Sequence, residues 1–131
     1  MTSKFVMDSY AWVEYFRGTL KGKKVKEILE SQPCYTPSIV IAELSNKYSK
    51  ENYIFWETDL QFIAENSSII ALDKEIANTA GRLKEAVRKE YKTNFGLADA
   101  IILSTARQIN AKVVTGDPHF RELSNVEFLN Q

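Results

Sequence analysis

Four acidic residues stand far apart in this chain of 131 residues, each beside an apolar run. Asp8 closes Phe5-Val6-Met7, and Glu43 follows Ile39-Val40-Ile41-Ala42. Asp99 is set within Leu97-Ala98-Asp99-Ala100-Ile101-Ile102-Leu103, and Asp117 within Val113-Val114-Thr115-Gly116-Asp117-Pro118. Each has a plainer use taken alone. Asp8 suits a helix N-cap, Glu43 a salt bridge, Asp99 the positive end of a helix and Asp117 an ordinary turn. Together they suggest more. Carboxylates gathered at one place repel each other and raise their pKa values unless a cation neutralises them. An all-oxygen ligand set suits Mg²⁺ or Mn²⁺ rather than zinc. Such an ion activates water and stabilises a leaving oxygen in phosphodiester cleavage.

The intervening sequence must bring these residues together. Short apolar runs alternate with helical periods, which predicts an α/β fold with a central, mainly parallel sheet and covering helices. Strands are expected at 5–7, 34–36, 69–72 and 112–115, with an edge strand at 126–128. Helices are expected at 9–16, ended by Gly18, and at 23–30. Another starts near Pro37 and carries Ile39, Val40, Glu43 and Leu44. Further helices fit 53–65, the segment capped by Asp73 as far as Tyr91, and 97–110. In the Asp73 helix, Ile76, Ala77, Ala80, Leu83 and Val87 form one apolar stripe. Asp8 and Asp117 directly follow strands, where open parallel sheets hold their ligands. Glu43 and Asp99 share helix faces with apolar residues, and a carboxylate there must be paired, protonated or metal-bound.

Composition narrows the class. The length fits one domain over 1–131, and 44% hydrophobic residues, with seven Phe, six Tyr and two Trp, supply a core. Acidic and basic residues balance at 17 each, so long-range steering to nucleic acid is weak unless charge is segregated. Lys21, Lys23, Lys24 and Lys26 do cluster, as do Lys84, Arg88, Lys89 and Lys92. The single cysteine, Cys34, excludes an internal disulfide and any multi-cysteine metal site, and reads as a buried structural thiol. No apolar run approaches a membrane span, and no signal core opens the chain, so a cytoplasmic protein is expected.

The ordered set Val6-Met7-Asp8-Ser9, Ile41-Ala42-Glu43-Leu44, Ala98-Asp99-Ala100-Ile101 and Thr115-Gly116-Asp117-Pro118-His119-Phe120 resembles that of PIN domains, and within them VapC-type toxins. The resemblance spans nearly the whole chain. It implies a three-layer α/β/α fold and a divalent-metal-dependent endoribonuclease, the toxin of a type II toxin-antitoxin pair. Asp8, Glu43, Asp99 and Asp117 would then hold Mg²⁺ or Mn²⁺. Thr115 would supply a hydroxyl beside Asp8 or the metal water, with Ser9 in a similar place. RNA would be the substrate, a cognate antitoxin the partner, and a homodimer the assembly. Tyr48, Tyr53, Phe55 and Trp56 would contribute to partner contacts, although core packing explains them equally well. Asp8 is followed by Ser-Tyr-Ala-Trp, bulkier than the usual pattern of the family.

Two other classes compete. One is a PIN-like module that binds RNA or protein without cutting; the presence of all four acids weighs against it. The other is a phosphotransfer domain with Asp8 as acceptor, but Tyr10 stands where a second aspartate would be wanted. His119, the lone histidine, reads as a solvated loop residue ahead of a metal role, and no nucleophile motif accompanies it.

Overall fold

The computed structural model describes residues 3–130. Met1, Thr2 and Gln131, included in the predicted domain, lie outside the described residues. In chain order the elements are β1 (Phe5–Met7), α1 (Ser9–Arg17), α2 (Leu20–Ser31), β2 (Cys34–Pro37), α3 (Ser38–Lys50) and α4 (Trp56–Asn66). Then follow β3 (Ser68–Ile70), α5 (Lys74–Tyr91), α6 (Leu97–Gln108), β4 (Lys112–Thr115), a 3-10 turn (Pro118–Phe120) and β5 (Val126–Phe128).

The strands form one sheet in the order β3-β2-β1-β4-β5, every neighbouring pair parallel. Parallel neighbours require crossovers, and the right-handed form is the rule for such connections. Chain progress from β1 to β3 therefore lays α1 to α4 over one face, and the return to β4 lays α5 and α6 over the other. The result is the three-layer α/β/α arrangement that the sequence leads one to expect. The direction of winding reverses between β1 and β4, and the crevice beyond their carboxyl ends is where such sheets bind ligands.

Both central strands are buried on both faces, which explains the unbroken apolar runs Phe5-Val6-Met7 and Val113-Val114. Trp12 anchors α1. It is fully buried, stacks on Phe16 at 5.8 Å and meets Phe62 edge-on at 6.1 Å. Its indole N–H donates to Thr36 Oγ1 at 3.1 Å, tying α1 to β2.

Some boundaries differ from expectation for identifiable reasons. Thr19 accepts from Gly22 N at 3.0 Å and caps α2, so that helix starts at Leu20 rather than Lys23. The chain between α3 and α4 turns through Asn52 at φ 54°, and Tyr53 N bonds Tyr48 O. Residues 53–55 are thereby spent on the turn, and α4 begins at Trp56. Ala77, expected in the apolar stripe of α5, is exposed, while Ile76, Ala80 and Val87 are buried.

Gly22 marks the closest approach of α2 to α1. A Cβ there would lie 2.1 Å from Glu14 O and 2.7 Å from Glu14 C. Gly22→Ala should therefore destabilise the fold by about 1–2 kcal/mol. The helix-propensity gain of roughly 1 kcal/mol is outweighed by forcing two backbones apart. Urea denaturation would read this directly; an unchanged or higher midpoint would mean that the helices separate freely.

Candidate metal centre

The site grows from the adjacent ends of β1 and β4. Met7 pairs with Val114, so the residues leaving the two strands emerge side by side. Asp8 turns the chain into α1 as its N-cap, its Oδ1 accepting from Ser9 N at 2.8 Å. Its other oxygen, Oδ2, accepts from Thr115 Oγ1 at 2.6 Å. The same threonine oxygen accepts from Asp117 N at 3.0 Å. One buried hydroxyl thus fixes the Asp8 carboxylate against β4 and holds the turn that carries Asp117.

Asp99 is the third residue of α6, where its Oδ2 accepts from Gly96 N at 2.9 Å. That location favours a negative charge. Asp99, Asp117 and His119 offer ligand atoms within 4.8 Å of one another. His119 Nδ1 lies 3.3 Å from Asp99 Oδ2 and 3.6 Å from Asp117 Oδ1. Glu43 comes in from α3 and lines, with Asp8, Ser9 and Asp117, a cavity of about 300 Å³. Its Oε1 is buried without a hydrogen-bond partner among the described residues.

The electrostatics follow from this crowding. Burial pushes Asp8 up to about 6, with Thr115 and Ser9 opposing and the charges of Asp99 and Asp117 adding to the rise. Glu43 is pushed up to about 7, first by burial and next by the charge of Asp8. Among the described residues, none of the four acids has a lysine or arginine nitrogen within 4.0 Å. A buried carboxylate oxygen without a donor, in a cluster of hard oxygens lacking a permanently charged basic partner among the described residues, fits a divalent cation.

All four acids expected from sequence are brought to this crevice, and Thr115 touches Asp8 as expected. Ser9 Oγ lies 3.5 Å from Asp8 Oδ1, a long contact. His119 departs from the reading as a solvated loop residue: its ring faces Asp99 and Asp117 and is only partly exposed. The available signal was its place two residues after an acid in a tight turn, where Asp117 Oδ1 accepts from His119 N at 2.9 Å. Cys34 is buried, as expected, and burial pushes its thiol up to about 11. The aromatic group divides. Tyr48 is buried and Trp56 half-buried, while Tyr53 and Phe55 are about half exposed.

Comparisons with known proteins agree with this architecture. The family profile described as PIN domain matches residues 5–126. Among solved structures, a toxin-antitoxin complex from Klebsiella pneumoniae aligns at a TM-score of 0.71 and 24% identity, covering 96% of this chain and 98% of the other. VapBC2 from Rickettsia felis, bound to a promoter DNA fragment, aligns at 0.74 and 20%, covering 94% and 95%. VapC20 from Mycobacterium tuberculosis, described as a sarcin-ricin loop cleaving toxin, aligns at 0.75 and 14%, covering 96% and 99%. No curated protein matches the chain in sequence.

Proposed function

This chain belongs to the PIN domain family, and from that premise we propose that it is a divalent-metal-dependent endoribonuclease, the toxin of a toxin-antitoxin pair. The observation that carries the reading is the crevice beyond β1 and β4. There, four acids from four segments meet without a lysine or arginine partner among the described residues, and Glu43 Oε1 is buried without a donor among them. The toxin-antitoxin description of the aligned structures and the description of VapC20 as a sarcin-ricin loop cleaving toxin support it further.

In this reading Asp8, Glu43, Asp99 and Asp117 hold Mg²⁺ or Mn²⁺, and His119 stands beside the last two. When bound, the ion supplies charge neutralisation for the phosphodiester and a more acidic water. Thr115 keeps Asp8 oriented by its 2.6 Å hydrogen bond. Glu43, protonated near neutral pH in the metal-free protein and ionised once a cation is held, would be placed to accept a proton from the attacking water. The anionic RNA is admitted only when the acids are neutralised, which makes the cation a condition for binding as well as for chemistry.

The antitoxin and the homodimer expected of such a toxin need apolar surface, and Tyr53, Ile54 and Phe55 offer an exposed run at the α3–α4 turn. A toxin acting on RNA would work in the cytoplasm; no helix among the described residues is long and apolar enough to cross a membrane. Incubating the protein with a panel of structured RNAs tests the function. Cleavage should appear with Mn²⁺ and vanish on adding excess EDTA; cleavage that survives the chelator would rule out the metal-dependent reading.

A further inference from the structure

Lys21, near the start of α2, is the one member of its basic cluster bound to the candidate site. Its Nζ donates to the hydroxyl of Tyr10 at 2.8 Å. Tyr10 in turn lines the same cavity as Asp8, Glu43 and Asp117. The tyrosine ring is seated against Gly116, the residue before Asp117: a Cβ at that glycine would fall 2.4 Å from ring atom Cε1 and 3.0 Å from the hydroxyl oxygen. The contact seats the ring, and the hydrogen bond ties the ammonium to a residue of the cavity lining.

A hydrogen bond to a residue of the cavity lining distinguishes this lysine from the rest of its cluster. Lys47 also lines the cavity, but its ammonium is held by Glu51 at 2.6 Å. Arg17, the other cation of the lining, has no carboxylate within 4.0 Å among the described residues and is a further unpaired charge at the cavity. Lys26 is paired with Glu30. Lys21 has no carboxylate within 4.0 Å among the described residues, and its identified partner is a neutral phenol. An ammonium has three donors, and one hydrogen bond to Tyr10 leaves two. Fixing a long lysine side chain against a neutral group yields little stability in itself, yet it leaves a positioned, uncompensated charge beside a site whose acids repel a polyanion.

We propose that Lys21 binds a phosphate of the RNA next to the one being cut, and that Tyr10 is the positioning residue that presents it. This rests on the nuclease reading for the identity of the ligand, but its contact can be measured without cleavage. The probe is a short fluorescent single-stranded RNA, titrated against protein carrying Asp99→Asn to prevent turnover, in Mg²⁺ and over a series of salt concentrations. Adding Lys21→Gln should weaken binding about ten-fold, the loss of one hydrogen bond to a charged group. It should also make the slope of log affinity against log salt shallower by about 0.7. Tyr10→Phe, which keeps the ring on Gly116, should weaken binding about three-fold. Lys24→Gln, on an exposed part of the same helix, should change neither quantity.

In otherwise wild-type protein, Lys21→Gln should raise KM and leave kcat within two-fold. Equal affinity and equal salt slope with and without Lys21→Gln would overturn the proposal, even if the wild type cuts RNA well. Lys21-dependent binding in a wild-type protein that never cuts would sustain Lys21 as a phosphate contact presented by Tyr10 and refute the nuclease reading.

Discussion

Replacing Asp99 by Asn is expected to lower metal-dependent RNA cleavage by about a thousand-fold while leaving the protein folded. The two halves of that expectation have separate causes. Asparagine keeps an oxygen that can accept from Gly96 N, so the first turn of α6 keeps its bond. The lost charge costs roughly 0.3–1 kcal/mol at the helix N-terminus and relieves repulsion from Asp8. The same substitution removes one negative oxygen from the group formed with Asp117 and His119. Losing a charged group aimed at the reacting centre typically costs 10²–10³ in rate or more. Asp73→Asn is the matched control. Asp73 caps α5 by accepting from Ile76 N, far in sequence from the crevice, and its replacement should leave cleavage unchanged. Similar rates for Asp99→Asn and wild type would remove Asp99 from the site.

The second large effect is on stability. Without a divalent cation the melting temperature should fall by about 10 °C between pH 5 and pH 8, and Mg²⁺ or Mn²⁺ should reverse the fall. The sign follows from linkage. Asp8 and Glu43 have folded-state pKa values raised to about 6 and about 7, from ordinary values of 3.8 and 4.5. Their protons are therefore held more tightly in the folded chain than in the unfolded one. Stability is highest below the ordinary values and declines as pH rises through the folded ones, levelling off above about 8. The whole shift of the nearly fully buried Asp8 corresponds to roughly 3 kcal/mol at 1.36 kcal/mol per pH unit, of which about 1.4 kcal/mol is lost between pH 5 and pH 8. Glu43, discounted for its partial exposure, loses roughly as much again in that window, and the sum of about 3 kcal/mol is about 10 °C for a domain of this size. Cation bound at 100 times its Kd returns about 2.7 kcal/mol. Glu43→Gln should flatten the pH dependence and blunt the rescue. A metal-free protein equally stable at pH 5 and pH 8 would contradict the proposed environment of these two acids.

The sheet and the acids were legible in the sequence for the same reason. A strand buried on both faces must be apolar throughout, so an acid at its very end stands out, as Asp8 does after Phe5-Val6-Met7. Asp99 was legible because it interrupts a helix stripe that is otherwise buried from Ala100 to Ala106. What escaped was set by tertiary contacts that leave little periodic trace. The start of α2 depended on the Thr19 cap and on Gly22 meeting the backbone of Glu14, a contact between two helices. The extra exposed turn at 53–55 depended on Asn52 adopting a positive φ. The direction of His119 depended on a turn bonded to Asp117, and a single histidine carries no spacing pattern to reveal where its ring points. Lys21 was visible only as one of four clustered lysines; its link to Tyr10 joins two helices and has no sequence signature.

Whether the gathered acids hold a divalent cation is tested most directly by titrating the metal-free protein with Mn²⁺ near pH 6.5, in buffers of different ionisation heat. Binding is expected in the wild type with net release of protons, because Glu43 and part of Asp8 carry them in the free protein. Affinity and proton release should both drop in Glu43→Gln. Absence of Mn²⁺ binding at millimolar concentration, or binding of equal strength and equal proton release in Glu43→Gln, would contradict the assignment of this crevice as a metal centre.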